Sequence, residues 1–442
     1  MSSTRPLVDE REIQSQPSRQ APCALPDTPL AGVRAGIDAC VHCGFCLQSC
    51  PTYLTLEDEN DSPRGRILLM RTALEGTLGL DDPALHTHID RCLGCRACET
   101  VCPSGVPYGH LLEATRATML EERDLPVVAK AILRVFAQPV LLRWAMTWSR
   151  ALRATRLPAL LARARGRLGF AMAMLDVTRD RGRRRGYAVQ SGGERSRVAL
   201  LLGCVMEGLF AHTNRATERV LAVNGYQIVN APGQRCCGAL HAHAGDLATA
   251  RALARTNVAA FEATDSAFIC VNAAGCGAMM KEYAHLLAGD PAWSERAARV
   301  SARVRDVSEL LVAAGPEAGA PLPGRVTYDA PCHLLHAQRV AAPPLAVLAA
   351  IKRLELVPLE GAEHCCGAAG IYNLVEPETS DAVLSPKLRN IAATGADIVA
   401  TGNPGCLMQI GAGLRRASIP ARVAHPVDLL DEAYAETRAP RD

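Results

Sequence analysis

Aromatic residues are scarce in this sequence. Only 4% of its 442 residues are Phe, Tyr or Trp, although 49% are hydrophobic. The core must therefore be built from Ala, Leu and Val. One core cannot serve a chain of this length, so two or three domains are expected. Charge imbalance is also missing. Lys and Arg number 48 against 45 Asp and Glu, a net charge of +3. That excludes the strong basic bias of a nucleic-acid-binding protein. The start, "MSSTRPLVDEREIQSQPSRQAPC", lacks the apolar stretch of a secretory signal. No apolar run reaches the roughly 18 residues a membrane-crossing helix needs, so a cytoplasmic protein is expected.

Several catalytic signatures are absent as well. No G-x-G-x-x-G follows a strand-like run, and there is no P-loop, nucleophile elbow or H-E-x-x-H. Nothing in the chain presents a site for flavin, NAD or an organic substrate. What is abundant is cysteine, with 18 residues. In a reducing compartment thiolates are more often metal ligands or redox groups than disulfides.

Two stretches stand out, "CVHCGFCLQSCP" from Cys40 to Pro51 and "CLGCRACETVCP" from Cys92 to Pro103. Both are C-x2-C-x2-C-x3-C-P, the spacing that wraps a [4Fe–4S] cube. In two-cluster ferredoxins the fourth cysteine of such a run ligates the other cluster. Cys40, Cys43, Cys46 and Cys102 are thus expected to hold one cube, and Cys50, Cys92, Cys95 and Cys98 the second. Zinc sites favour paired C-x2-C knuckles, which these runs do not reduce to. Between the motifs, Ser62 reads as an N-cap, Pro63 as the first helical residue and Gly76 as a stop. A second helix is expected around "YGHLLEATRATMLEE". The first domain therefore reads as helical. Arg64 and Arg66 either offset cluster charge or form a solvated first turn.

From Leu125 to Leu175 there is no acidic residue, while nine basic ones punctuate apolar helical runs. Such a stretch can lie on an anionic membrane face or pack on a partner subunit. "RDRGRRRGYAVQSGGERSR" reads as a linker.

The second half is a duplication. Cys204, Cys236, Cys237 and Cys276 recur as Cys332, Cys365, Cys366 and Cys406, at offsets of 128, 129, 129 and 130 residues. Short β runs ("VALLL", "YQIVNAP", "AFICVN"; then "VTYDAP", "ELVPLE", "DIVATGNP") alternate with helical stretches, so each copy should build a parallel sheet. Every repeated cysteine then falls beyond the carboxyl end of a strand, where open α/β sheets place their sites. These eight are further candidate cluster or redox ligands. Cys270 reads as core, and Cys23 has no assigned role. His42 has no ligand slot. His241 and His243 read as ordinary surface or supporting residues.

With two ferredoxin motifs followed by two Cys-Cys-Gly domains, the chain resembles the glycolate oxidase iron–sulfur subunit family over nearly its whole length. "CVHCGFCLQSCPTYLTLEDENDSPRGRILLM", "CLGCRACETVCPSGVPYG" and "GNPGCLMQI" carry the likeness. The resemblance implies an α+β protein, with a helical ferredoxin-type domain at 31–122 after a tail at 1–30. A basic segment at 123–196 and two α/β Cys-Cys-Gly domains at 197–320 and 321–442 follow. It implies two [4Fe–4S] clusters, flavin-containing glycolate oxidase partner subunits and the membrane quinone pool as acceptor. It places the chain peripherally on the inner face of the cytoplasmic membrane, with no catalytic residue of its own. The complex would oxidise glycolate, and often D-lactate, to the 2-oxo acid. Related subunits of anaerobic glycerol-3-phosphate dehydrogenase and heterodisulfide reductase usually close each repeat with C-x2-C, giving five thiols. Here Ala273 and Asn403 stand at the first position of that pair. The competing readings are a cluster subunit of another flavin dehydrogenase, of glycerol-3-phosphate or D-lactate type, and a heterodisulfide-reductase-like thiol–disulfide reductase, against which the two missing thiols weigh.

Overall fold

The computed structural model describes residues 23–164, 166–179, 187 and 193–438. Residues 1–22 of the tail and most of the linker expected over 179–197 lie outside the described residues.

The amino-terminal part is helical. Helix α1 (Pro63–Leu74) begins where the sequence puts its cap: the Ser62 hydroxyl accepts the Gly65 N–H at 3.0 Å, and Pro63 opens the first turn. The helix closes at Glu75, and Gly76 leaves it at φ +75°, a conformation a side chain would resist. Helix α2 (Tyr108–Met119) follows the second cysteine motif. Ile67, Met70 and Leu74 of α1 share one aliphatic core with Leu111, Leu112 and Met119 of α2. The cysteine loops hang on the edge of this core, so the helices fix their relative position.

Helices α3 (Val127–Ala137) and α4 (Pro139–Ala154) form the basic segment. Helix α3 buries Ala129 and Leu133, whereas α4 buries no residue fully. Among the described residues no helix is long and apolar enough to cross a membrane.

The duplication is visible as two four-stranded parallel sheets. In the first, β1 (Arg197–Leu200) lies between β2 (Gln227–Val229) and β3 (Phe268–Val271), and β4 (Val304–Asp306) pairs outside β3. In the second, β5 (Gly324–Tyr328), β6 (Leu354–Val357), β7 (Ile398–Ala400) and β8 (Arg422–Ala424) repeat the order as β6-β5-β7-β8. Six of these strands lie in the expected β runs. Strands β4 and β8 do not. At three residues each, in "RVRD" and "RVAH", they are too short to show a period.

The copies share a core. Val198, Leu200 and Val220 of the first pack with Val326, Val347 and Leu430 of the second. Polar bonds join them too: the Thr213 hydroxyl donates to Asp428 at 3.0 Å, and Arg219 pairs with Asp431 at 2.5 Å. Cys270, in β3, is fully buried in this core, as its apolar setting implied.

Candidate metal centres

The two ferredoxin-type loops interlock. Cys40, Cys43, Cys46 and Cys102 line a single cavity, with Cys98 on its wall. Cys50 lies within electrostatic range of Cys95 and Cys98, as does Cys92, and also of Cys46; its Sγ is 3.9 Å from the Arg66 guanidinium. The fourth cysteine of each run thus sits with the first three of the other run. Burial pushes the Cys95 and Cys98 thiols far above their ordinary range. Burial also lifts Cys46 to about 11, against the lowering effect of the Arg64 backbone N–H at the start of α1.

Arg66 is the charged residue at the heart of this region. It is fully buried and donates to the His88 carbonyl at 2.6 Å, to Thr52 at 3.1 Å and to Asp61 at 3.1 Å. Arg91 also pairs with Asp61, at 3.0 Å. The Tyr108 hydroxyl and the Gly94 N–H face Cys92 Sγ at 3.6 and 3.5 Å. Of the two arginines singled out in the sequence, Arg66 is the one held against thiols. Arg64 is bound mainly by Glu59, at 2.5 Å.

Each Cys-Cys-Gly copy gathers its four thiols beyond the strand ends. In the first, side-chain hydrogen bonds link Cys204 to Cys236, Cys236 to Cys237 and Cys237 to Cys276. Bonds from Cys204 and Cys237 hold Cys236 well below the usual thiol range. In the second copy, Cys332 meets Cys365, Cys365 meets Cys366, and Cys366 lies 3.4 Å from Cys406, sulfur to sulfur. The glycine after each pair adopts positive φ, +89° at Gly238 and +85° at Gly367, which turns its N–H toward Cys236 and Cys365 respectively. None of the 18 cysteines pairs in a disulfide.

Those donor sets fit iron–sulfur clusters: four convergent soft thiols in each of four places, with N–H donors and a buried guanidinium aimed at sulfur.

The sites also form a series. Cys95 packs in one cluster with Cys365, Cys332 and Tyr372. The Tyr372 hydroxyl donates to the Arg91 carbonyl at 2.9 Å, and the His333 ring to the Gly94 carbonyl at 3.1 Å. Between the two copies stands Asn403. Its Oδ1 accepts the Gly275 N–H at 3.3 Å, one residue before Cys276, and its Nδ2 donates to Cys406 Sγ at 3.5 Å. The residue that replaces a thiol therefore ties the two thiol groups together.

The copies differ beneath their thiols. Lys387 is buried, pairs with Asp329 at 2.6 Å, and lies within the field of Cys366 and Cys406. Asn257 holds the corresponding place in the first copy, donating to the Cys236 carbonyl and to Tyr283, both at 3.0 Å. Lys387, His333 and the bond of Asn403 to Gly275 escaped the sequence reading because the partners come from distant segments. Of its two expected roles, surface or supporting, His241 takes the supporting one. It is buried, and its ring donates to the Leu133 carbonyl of α3 at 3.0 Å. His243 is half-buried and bonded to Glu113 at 2.9 Å. Neither bonds a thiol.

Residues 36–106 match the 4Fe-4S dicluster domain, and residues 198–281 and 326–411 match the Cysteine-rich domain. A "Probable glycolate oxidase iron-sulfur subunit" of Bacillus subtilis (strain 168) is 38% identical over 415 residues, covering 89% of this chain and 93% of that one. The chain belongs to the glycolate oxidase iron–sulfur subunit family. The Escherichia coli (strain K12) member of that family is 33% identical with the same coverages. A "Lactate utilization protein A" of Geobacillus thermodenitrificans (strain NG80-2) is 32% identical over 237 residues, which is 53% of this chain and 98% of that protein. Family membership agrees with the α+β architecture: a ferredoxin-type domain, then two cysteine-rich domains on parallel sheets.

Proposed function

We propose that this chain is the electron-carrying subunit of a glycolate oxidase complex. Cys40, Cys43, Cys46 and Cys102 would hold one [4Fe–4S] cluster, and Cys50, Cys92, Cys95 and Cys98 a second. Such clusters supply reversible one-electron storage. Electrons from glycolate would enter from flavin-containing partner subunits and leave for the quinone pool, with the chain seated peripherally on the inner membrane face. The likeness to lactate-utilization proteins supports lactate as a second substrate of the complex.

The observation that carries this reading is the unbroken run of thiol groups. It begins at Cys43, which is exposed between the exposed side chains of Val41 and Phe45. It continues through the Cys50 group to Cys95 and Cys365, then through Asn403 to Cys276. No residue on that run is placed to do bond-making chemistry on a hydroxy acid. The chain's own residues insulate the run, donate N–H bonds to its sulfurs and balance charge with Arg66 and Lys387.

Anaerobic purification with the neighbouring subunits, followed by iron and sulfide counts and EPR, tests the proposal. About eight irons would correspond to two cubes, and more would place iron in the repeats. Deleting the chain should abolish glycolate-dependent quinone reduction. If that reduction persists, the role is wrong.

A further inference from the structure

Helix α4 has two apolar faces. Val140, Leu141, Trp144 and Trp148 recur at helical spacing on one face and are 62%, 40%, 60% and 68% exposed. The opposite face carries Pro139, Leu142 and Met146. With Phe136 of α3, these residues wall a cleft of about 320 Å³ that ends on Cys204 and Cys236. Arg143 and Arg150 line the same cleft. Its volume is that of a small-ligand site, roughly 300–1,000 Å³.

From this arrangement we infer that the cleft is the binding site for the head ring of a lipophilic quinone, delivered from an anionic bilayer on which α4 lies. The inference rests on the electron-carrying role and names where that role ends. Three features select the ligand class. The wall formed by α3 and α4 is apolar at Phe136, Leu142 and Met146, which suits a flat uncharged ring, while Glu207, Gln234 and Arg235 give the facing side polar groups. The arginines at the cleft offer N–H donors to a quinone oxygen. Cys204 and Cys236 line the cleft themselves, so an electron that reaches them has no further protein to cross to a ring bound there. The surroundings select the source. Two tryptophans sit among basic residues in a stretch, 125–175, that contains no acidic side chain, which matches an anionic interface. Nucleotide acceptors need a phosphate cradle, and the Gly203–Gly208 stretch that borders the cleft is followed by Leu209 and Phe210, not by the Lys and Ser or Thr of a P-loop. Reduction to the quinol consumes two electrons, which the hydroxy acid supplies through the flavoprotein partners, and two protons from water. The two carbonyl oxygens become hydroxyls.

The test uses the full, cluster-loaded chain on vesicles of phosphatidylcholine with or without phosphatidylglycerol. The probe is a photoreactive azidobenzoquinone bearing a decyl tail. Labelling is expected in peptides containing residues 136–150 and 202–208, suppressed by excess unlabelled decylquinone. Leu142→Trp, which fills the cleft from an already half-exposed position, should cut labelling about tenfold at unchanged iron content. Label elsewhere, or undiminished label in L142W, overturns the site. Brominated phosphatidylglycerol should quench Trp144 and Trp148, leaving the emission of Trp293, which lies under Arg296 at 3.9 Å in the first repeat. Absence of that quenching overturns delivery from the bilayer. Failure of glycolate and the flavoprotein partners to reduce the clusters would refute the carrier role instead, and the labelling map would still be readable.

Discussion

Arg66 shows how much one side chain can carry here. It has no exposed surface, and it satisfies Asp61, Thr52 and the His88 carbonyl while facing Cys50. Removing Arg66 leaves buried Asp61 with Arg91 as its remaining arginine partner, a loss at the lower end of the about 3–5 kcal/mol for breaking a buried pair. Arg66→Met should therefore lower the unfolding free energy by about that amount in a urea titration. It should also move the reduction potential of the adjacent cluster downward in an EPR-monitored titration, since a cation that favours the added electron is gone. Lys387 makes the same argument in the second repeat. Lys387→Met should alter only signals arising from the Cys332, Cys365, Cys366 and Cys406 group, because the first repeat has neutral Asn257 in that place. If both repeats respond alike, the asymmetry has no electronic meaning.

At the scale of elements, the turn after each cysteine pair is the sensitive one. A Cβ added to Gly367 would lie 2.7 Å from the Ser380 carbonyl oxygen, at a backbone φ of +85°. Gly367→Ala should cost about 1–3 kcal/mol by thermal unfolding and loosen the Cys365–Cys366 turn. At Gly238 the nearest atom is 3.3 Å away, so Gly238→Ala should be the milder change. The docking of α2 on the first repeat is electrostatic. Glu282 accepts from Arg96 at 2.9 Å and from His110 at 3.0 Å. Burial opposes its charge, but these two partners prevail and hold the carboxyl down at about 2. A carboxyl depressed in the folded state stabilises it above the ordinary value of 4.5, and this contribution fades as pH falls toward about 2. Melting temperature should therefore drop with acid over that window, and Glu282→Gln should flatten the dependence.

For the whole molecule, the cysteines made the architecture legible. The doubled C-x2-C-x2-C-x3-C-P runs and the offsets between repeats announced one helical and two α/β units. Ser62, Pro63 and Gly76 marked the limits of α1 through local chemistry alone. What stayed hidden depends on contacts between distant segments. Strands β4 and β8 are extended because β3 and β7 template them, not because three residues prefer it. Only the covering of His241 by α3 decides between the surface and supporting roles left open for it. Nor does any spacing rule reveal that Cys95 meets Cys365, some 270 positions later in the chain. Chelating the iron should therefore hurt the ferredoxin-type region most. Its few helices enclose a small core, whereas the repeats keep their sheets. Hydrogen exchange on the stripped chain should show faster exchange over 36–106 than over β1, β3, β5 and β7.

Asn403 keeps one hand on each half of the duplication, its oxygen on the turn before Cys276 and its nitrogen on Cys406. Shear between the halves would strain the Gly275 N–H bond to the same amide that touches Cys406, together with the Thr213–Asp428 and Arg219–Asp431 bonds. The seam is thereby held shut where the conductor crosses it.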